Sequence, residues 1–423
     1  MALDHFLTEA DRCSQCSYCK WIPFDQVKSW RFAKNCPSIT YHNFNSYSAR
    51  GRYALTRSLL KGQSDITDTV KRIVFSCMAC GACDVSCKVC RYNLEPLDMV
   101  RELKFKLVEE GHGPAAHREL ITSINREQNT LNAPRDQRGQ WAADLDVPNA
   151  TSDPCDVLFF AGCRLSYDQD RQATAATAVN LLKKVGIKVG ILGGQEICCG
   201  SRVYSMGQKE AFKRMATANL SLFKKSGIQT IVTACADCYY AFKRLYPQVG
   251  ATVEVYHIAE YLHRLLAEGQ LTFKKEIPLT VTYHDPCHLG RQGEPYLPWQ
   301  GEEKKIKEQI IVYEPRRPRN NGAWGVYDQP REILEAIPGI QLVEMQRIRE
   351  YSWCCGAGGG VREAYPDYSG WTATERIEEA KSTGAEAIVS ACPWCERNFQ
   401  DAVSNTGASM QVLDILDLVA EAV

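Results

Sequence analysis

Twenty cysteines stand in this chain of 423 residues, and most fall at short, ordered spacings. One pattern occurs twice in the C-terminal two-thirds. Its first copy is Cys163, the adjacent pair Cys198–Cys199 followed by Gly200, and Cys235-Ala-Asp-Cys238. Its second is Cys287, the pair Cys354–Cys355 followed by Gly356, and Cys392-Pro-Trp-Cys395. Each copy could bring five thiols toward one point. Adjacent cysteines are poor partners for each other, because a disulfide between them strains the intervening peptide. They suit bridging or capping of neighbouring irons. The chemistry this implies is electron transfer at iron–sulfur centres.

Eight further cysteines lie near the N-terminus. Cys13, Cys16 and Cys19 form C-x2-C-x2-C, and Cys77, Cys80, Cys83 and Cys87 form C-x2-C-x2-C-x3-C. Both are ferredoxin spacings, and in two-cluster ferredoxins the fourth cysteine of each run ligates the other cluster. That rule assigns Cys13, Cys16, Cys19 and Cys87 to one cubane, and Cys77, Cys80, Cys83 and Cys36 to the other. Cys36-Pro37 supplies the Cys-Pro that closes such a run. Cys87 is followed by Lys88, and Cys90 is an alternative fourth ligand. Zinc also accepts four cysteines, but zinc ribbons use separated pairs, not triplets. Cys90 and Cys155 otherwise read as ordinary buried thiols.

The elements that must position these residues alternate. Strands are expected at 156–161, 188–192, 230–234 and 253–256, with helices at 173–184, 209–225, 239–246 and 259–268. The pattern then restarts, with strands at 279–283 and 387–390 and a helix at 374–381. This predicts a parallel α/β layer present in two copies. Each C-x2-C follows a buried strand, Ile231 to Ala234 and Ile388 to Ala391, and the offset between copies is 157 residues there. It is 124 residues at the leading cysteine, so the second copy carries about 32 extra residues, and 293–328 reads as an excursion loop. Ligands gather beyond the carboxyl ends of strands in such layers. The two sites would then face each other between the copies. The domains expected are a mostly helical, ferredoxin-like part over 1–110, with a helix at 97–110; a polar connector over 111–154, with helix at 118–125; and two α/β domains over 155–270 and 271–423.

Lys+Arg and Asp+Glu balance at 50 each, which gives no reason to expect nucleic acid or an anionic membrane. No apolar run reaches a bilayer span and no signal peptide is read, so direct membrane insertion is not expected. Close thiol spacings without a secretory signal place the chain in a reducing cytoplasm.

The repeated C…CCG…C-x2-C pattern resembles the CCG-domain proteins typified by the catalytic subunit of heterodisulfide reductase. Its fusion to a ferredoxin part resembles the D-type subunit. Related iron–sulfur subunits serve glycolate and glycerol-3-phosphate dehydrogenases and benzoyl-CoA reductase complexes. The resemblance implies a noncubane four-iron cluster on each five-cysteine set, beside two [4Fe-4S] cubanes. It implies two-electron, disulfide-type reduction between the paired clusters, each delivering one electron. The alternative is a relay between a flavoprotein and another reductase or quinone-linked dehydrogenase, with no substrate of its own. No flavin motif is evident, so a flavoprotein or membrane-cytochrome partner in a multi-subunit complex is expected, in anaerobic metabolism. His284, His288 and Arg291 flank Cys287 and are the candidates to donate a proton or hydrogen bonds. Asp285 reads as a helix cap, and Arg164, beside Cys163, is a weaker candidate. Trp353 and Trp394 are expected to shield a cluster, and Gly356 to Gly360 to let amides approach cluster sulfur.

Overall fold

The computed structural model describes residues 3–90, 94–307 and 310–423. The first copy builds a four-stranded parallel sheet from β1 (Val157–Phe159), β2 (Val189–Gly190), β3 (Thr230–Thr233) and β4 (Glu254–His257), in the order β2-β1-β3-β4. The second uses β5 (Leu279–Tyr283), β8 (Ile340–Leu342), β9 (Ala387–Ser390) and β10 (Gln411–Asp414), in the order β10-β9-β5-β8. Written from the other edge, the second order is the first one repeated. All pairings within both sheets are parallel. Runs such as Ile231-Val232 and Ile388-Val389 are apolar at successive positions and fully buried, as strands covered on both faces must be.

The offset of 157 residues persists past the C-x2-C. It carries His257 onto Asp414, and both begin a helix with a capping box, His257 with Glu260 and Asp414 with Asp417. Between β6 (Glu302–Ile306) and β7 (Ile310–Glu314), inside the segment expected as a loop, the chain forms an antiparallel hairpin. It reads poorly in sequence because most of its side chains face solvent and β6 is Glu-Glu-Lys-Lys-Ile. β8 and β10 are also additions to the expected strands. After Cys238 the expected helix is a short α-turn, Ala236–Tyr240, continued by a π-helical turn, Ala241–Leu245.

The two sheets share one continuous apolar core. The N-terminal part has smaller clusters of its own beneath the helices Ala49–Leu60, Asp68–Phe75 and Pro96–Glu109. A further cluster of Met78, Cys80, Ala82, Cys354, Val361 and Tyr368 joins it to the second copy.

Candidate metal centres

Three strand ends feed each five-cysteine set. Cys163 follows β1, Cys198–Cys199 follow β2, and Cys235 follows β3 directly as the N-cap of the next helix. Cys287, Cys354–Cys355 and Cys392 follow β5, β8 and β9 in the same way. β1 and β3 are neighbours at the centre of the first sheet, where the order reverses, and β5 and β9 at the centre of the second. Loops diverge at such a point and leave room for a ligand.

Within the first set the thiols touch in a series, Cys163 to Cys198, Cys198 to Cys199, Cys199 to Cys238, and Cys238 to Cys235. The second set repeats the series position by position, Cys287 to Cys354, Cys354 to Cys355, Cys355 to Cys395, and Cys395 to Cys392. In each, the second cysteine of the adjacent pair is pushed toward thiolate because two neighbouring thiols donate to it. Cys199 falls to about 6 and Cys355 moves down likewise. The glycine after each pair has a steric cause. Gly200 has φ +82° and Gly356 φ +93°, and each amide donates to the sulfur two residues back, at 3.4 Å, on Cys198 or Cys354.

The N-terminal cysteines form two further groups. Cys13, Cys16, Cys19 and Cys87 line one cavity with Arg50, Tyr53 and Leu94. Cys36, Cys77, Cys80 and Cys83 line another with Pro37, Arg52 and Tyr368. The side chain of Cys90, the alternative fourth ligand, lies outside the described residues. Cys155 is half-buried, away from these groups, against Gly190.

Two thiol contacts join three of the four groups end to end. Cys80 of the second N-terminal group meets Cys354. Cys235 of the first copy meets Cys392 of the second, and both are buried.

A 4Fe-4S dicluster domain matches residues 9–90, and a cysteine-rich domain matches twice, at 157–243 and 316–400. The chain is 31% identical to the D-type subunit of the dihydromethanophenazine:CoB–CoM heterodisulfide reductase of Methanosarcina mazei, over 98% of this chain and 94% of that protein. The chain belongs to the family of heterodisulfide reductase D-type subunits. Relatives of other description are also similar. A probable iron–sulfur-binding oxidoreductase, FadF, of Bacillus subtilis is 31% identical over 83% of this chain and 46% of its own length. The EtfAB:quinone oxidoreductase of Syntrophomonas wolfei is 29% identical over 85% and 48%. This D-type chain is therefore an iron–sulfur oxidoreductase subunit, and no helix among its described residues is long and apolar enough to cross a membrane.

Between the two copies in this D-type chain, the residues beside the clusters obey a pseudo-twofold rule. The residue after each leading cysteine reaches the third position of the other copy's C-x2-C. His288 Nδ1 donates to Asp237 Oδ1 at 2.6 Å, and Arg164 lies 4.1 Å over the Trp394 ring. Arg202 lies 3.7 Å over the same ring. Trp394 thus binds the copies together through two cations. Trp353, fully buried, donates its indole N–H to Thr372 O.

The three candidates around Cys287 differ in role. Arg376 Nε donates to His284 Nδ1 at 3.2 Å, and an arginine has no lone pair to offer in return. The His284 proton is therefore on Nε2, in the group it forms with Cys355 and Cys395, where ligand atoms lie within 4.8 Å. Burial works to lower His288, but the charges of Cys287 and Asp237 overcome it and hold the imidazole up at about 9. His288 Nε2 is buried without a hydrogen-bond partner. Tyr240 stacks on the ring at 4.5 Å. Arg291 donates to the carbonyls of Cys80, Glu350 and Ser352, so it fastens the N-terminal part to the second copy.

Asp285 does not cap a helix. It receives both guanidinium nitrogens of Arg331, at 2.7 and 3.0 Å, and the Arg349 amide. Of the glycine run, only the Gly356 amide approaches sulfur. A Cβ on Gly358, Gly359 or Gly360 would strike Met78 O, Cys77 O or the His117 ring, so these glycines admit the N-terminal part and the connector helix. The first copy has features that sequence spacing did not single out. Glu196 accepts the amides of Ala161 and Gly162 and pairs with Arg138 at 2.7 Å, and Arg138 reaches Cys163 Sγ at 3.7 Å. Glu196 lies just before the Cys198–Cys199 pair, but Arg138 is 58 positions from Glu196 in the chain.

Proposed function

We propose that this chain holds four iron–sulfur clusters in series and delivers electrons to its paired cysteine-rich sites for a two-electron reduction of disulfide type. Two cubanes would be held by Cys13, Cys16, Cys19 and Cys87, and by Cys36, Cys77, Cys80 and Cys83. Two noncubane clusters would be held by Cys163, Cys198, Cys199, Cys235 and Cys238, and by Cys287, Cys354, Cys355, Cys392 and Cys395. The donor chemistry fits. Five thiols crowded together, nine of the ten in the two sets buried, repel one another when ionised, and a cationic metal core removes that penalty. The Cys198 and Cys354 sulfurs already accept backbone N–H bonds.

The observation that carries this reading is the pair of junctions, Cys80 with Cys354 and Cys235 with Cys392. They support an order from the second N-terminal group, through the second copy, to the first. Clusters held by these thiols would supply one-electron storage and iron able to bind sulfur products. The chain's own residues do the rest. Asp237 fixes the His288 ring so that Nε2 is the nitrogen available for proton delivery beside Cys287. His284 Nε2–H faces the Cys355 and Cys395 side, where it would donate to a bound cluster and so stabilise added negative charge.

A second reading has its own observation. Cys235 and Cys392 abut directly, and both are buried, as suits a relay that hands electrons to another subunit. Under either reading a flavoprotein or cytochrome partner supplies or removes the electrons. Iron and sulfide analysis of anaerobically purified protein tests the assignment; four four-iron clusters give roughly 16 irons per chain. Stoichiometric zinc with little iron would overturn it. Dithionite-reduced protein mixed with a soluble anionic disulfide separates the two readings, since release of two thiols for two electrons supports reduction and no thiol supports relay.

A further inference from the structure

Among the described cysteines Cys16 is the exposed one. Its group is the outermost of the four, so the surface around it is where a soluble carrier comes nearest the series. The sequence around it carries an excess of cations in a chain whose net charge is zero. From Arg12 to Lys61 the sequence holds nine cations, Arg12, Lys20, Lys28, Arg31, Lys34, Arg50, Arg52, Arg57 and Lys61, and one acid, Asp25. Arg52 is buried, Arg12 and Arg31 are neutralised by Glu303 and Glu375, and Arg57 and Lys61 by Asp11. Arg50, Lys20 and Lys34 meet neutral groups instead. Arg50 donates to Ser17 and Gln15, Lys20 to the Asn45 amide, and Lys34 lies over the Trp21 ring. Large apolar side chains stand out among them. Phe24 is 59% exposed, Trp30 74% and Phe44 65%; Phe24 packs edge-on against Tyr18, between Cys16 and Cys19 in the chain, and Phe44 adjoins the Asn45 that Lys20 bonds.

We infer that this face is the docking surface for an acidic one-electron carrier protein. An apolar centre with a charged rim is the anatomy of a protein interface, and opposite charge speeds a transient electron-transfer encounter. The aromatics sit on short turns, Phe24–Gln26 and Trp30–Phe32, and not along an amphipathic helix that would lie in a membrane interface. The inference rests on reading the Cys13, Cys16, Cys19 and Cys87 group as a cluster. One electron leaves the reduced carrier, which is oxidised, and enters that group, which is reduced; no bond is made or broken.

The test is stopped-flow reduction of the anaerobic holoprotein by a reduced two-cluster ferredoxin, a small acidic carrier, with methyl viologen radical cation as the small-molecule control. The ferredoxin rate should fall about tenfold as salt rises, and about tenfold at low salt in a Lys20→Glu/Lys28→Glu/Lys34→Glu variant. The viologen rate should not fall in that variant. A Phe24→Ser/Trp30→Ser variant should need several-fold more ferredoxin for half-maximal rate. A ferredoxin rate indifferent to salt and to both variants would overturn the docking surface. So would binding to anionic phospholipid vesicles that the charge reversal abolishes while the ferredoxin rate stays unchanged. Failure of viologen itself to reduce the protein would overturn the cluster assignment beneath it.

Discussion

A methyl group on Gly356 would sit 2.5 Å from Ser369 O and 2.8 Å from Asn398 Nδ2, in a backbone conformation that L side chains avoid. Gly200 is left-handed too, with φ +82°, but there the one close contact is a Phe212 ring carbon at 2.8 Å, and a ring can tilt. Gly356→Ala should therefore empty the second-copy site, removing about four irons per chain, while Gly200→Ala retains more of its iron. Iron content with EPR of the remaining clusters checks this. His288 is the other residue whose setting makes a sharp forecast. His288→Asn, whose amide overlays Nδ1, keeps a bond to Asp237 but cannot deliver a proton, and should lower disulfide reduction about 10²-fold. The cubane EPR signals should not change. Thiol release at the wild-type rate would remove His288 from the reaction.

At the scale of elements, the connector helix Ala115–Glu127 is fixed to the second copy by His117, whose Nε2 lies 2.8 Å from Gly360 O. Burial holds this imidazole down at about 4, although the Gly360 carbonyl opposes the shift. The unfolded chain binds a proton near pH 6.5 that the folded chain takes up only near pH 4. Stability from this group is therefore full above about pH 6.5 and is lost as pH falls toward 4. Urea unfolding at about pH 7.5 and about pH 5 should show the wild type losing about 2 kcal/mol more than His117→Asn across that interval. Equal losses would show that the histidine titrates freely. The elements that carry cysteines were legible in the sequence because apolar runs end on them, as Ile231 to Ala234 end on Cys235. β8 and β10 were not, being short and half-exposed, and neither was the charged hairpin of β6 and β7. At the site, the cysteine groups could be read from spacing alone. The bonds of His288 to Asp237 and of Arg138 to Glu196 could not, because each joins residues far apart in the chain, 51 and 58 positions.

Over the whole molecule, the three parts meet at a few buried polar groups. Lys104 Nζ donates to Cys77 O at 2.7 Å, Ser205 O at 3.1 Å and Gly359 O at 3.1 Å, one carbonyl from each part. Lys104→Met would leave these carbonyls without their donor and should cost about 2–3 kcal/mol, read as a lower urea midpoint. The same junction holds Cys80 against Cys354, and on it rests the central claim proposed above, that the second N-terminal group bridges the surface and the paired sites for electrons. Freeze-quench EPR of a Cys36→Ser/Cys83→Ser variant, mixed with the reduced ferredoxin, tests that claim most directly. The Cys13, Cys16, Cys19 and Cys87 cluster should reduce on the wild-type time scale while both cysteine-rich sites stay oxidised. Reduction of those sites at the wild-type rate would contradict the claim.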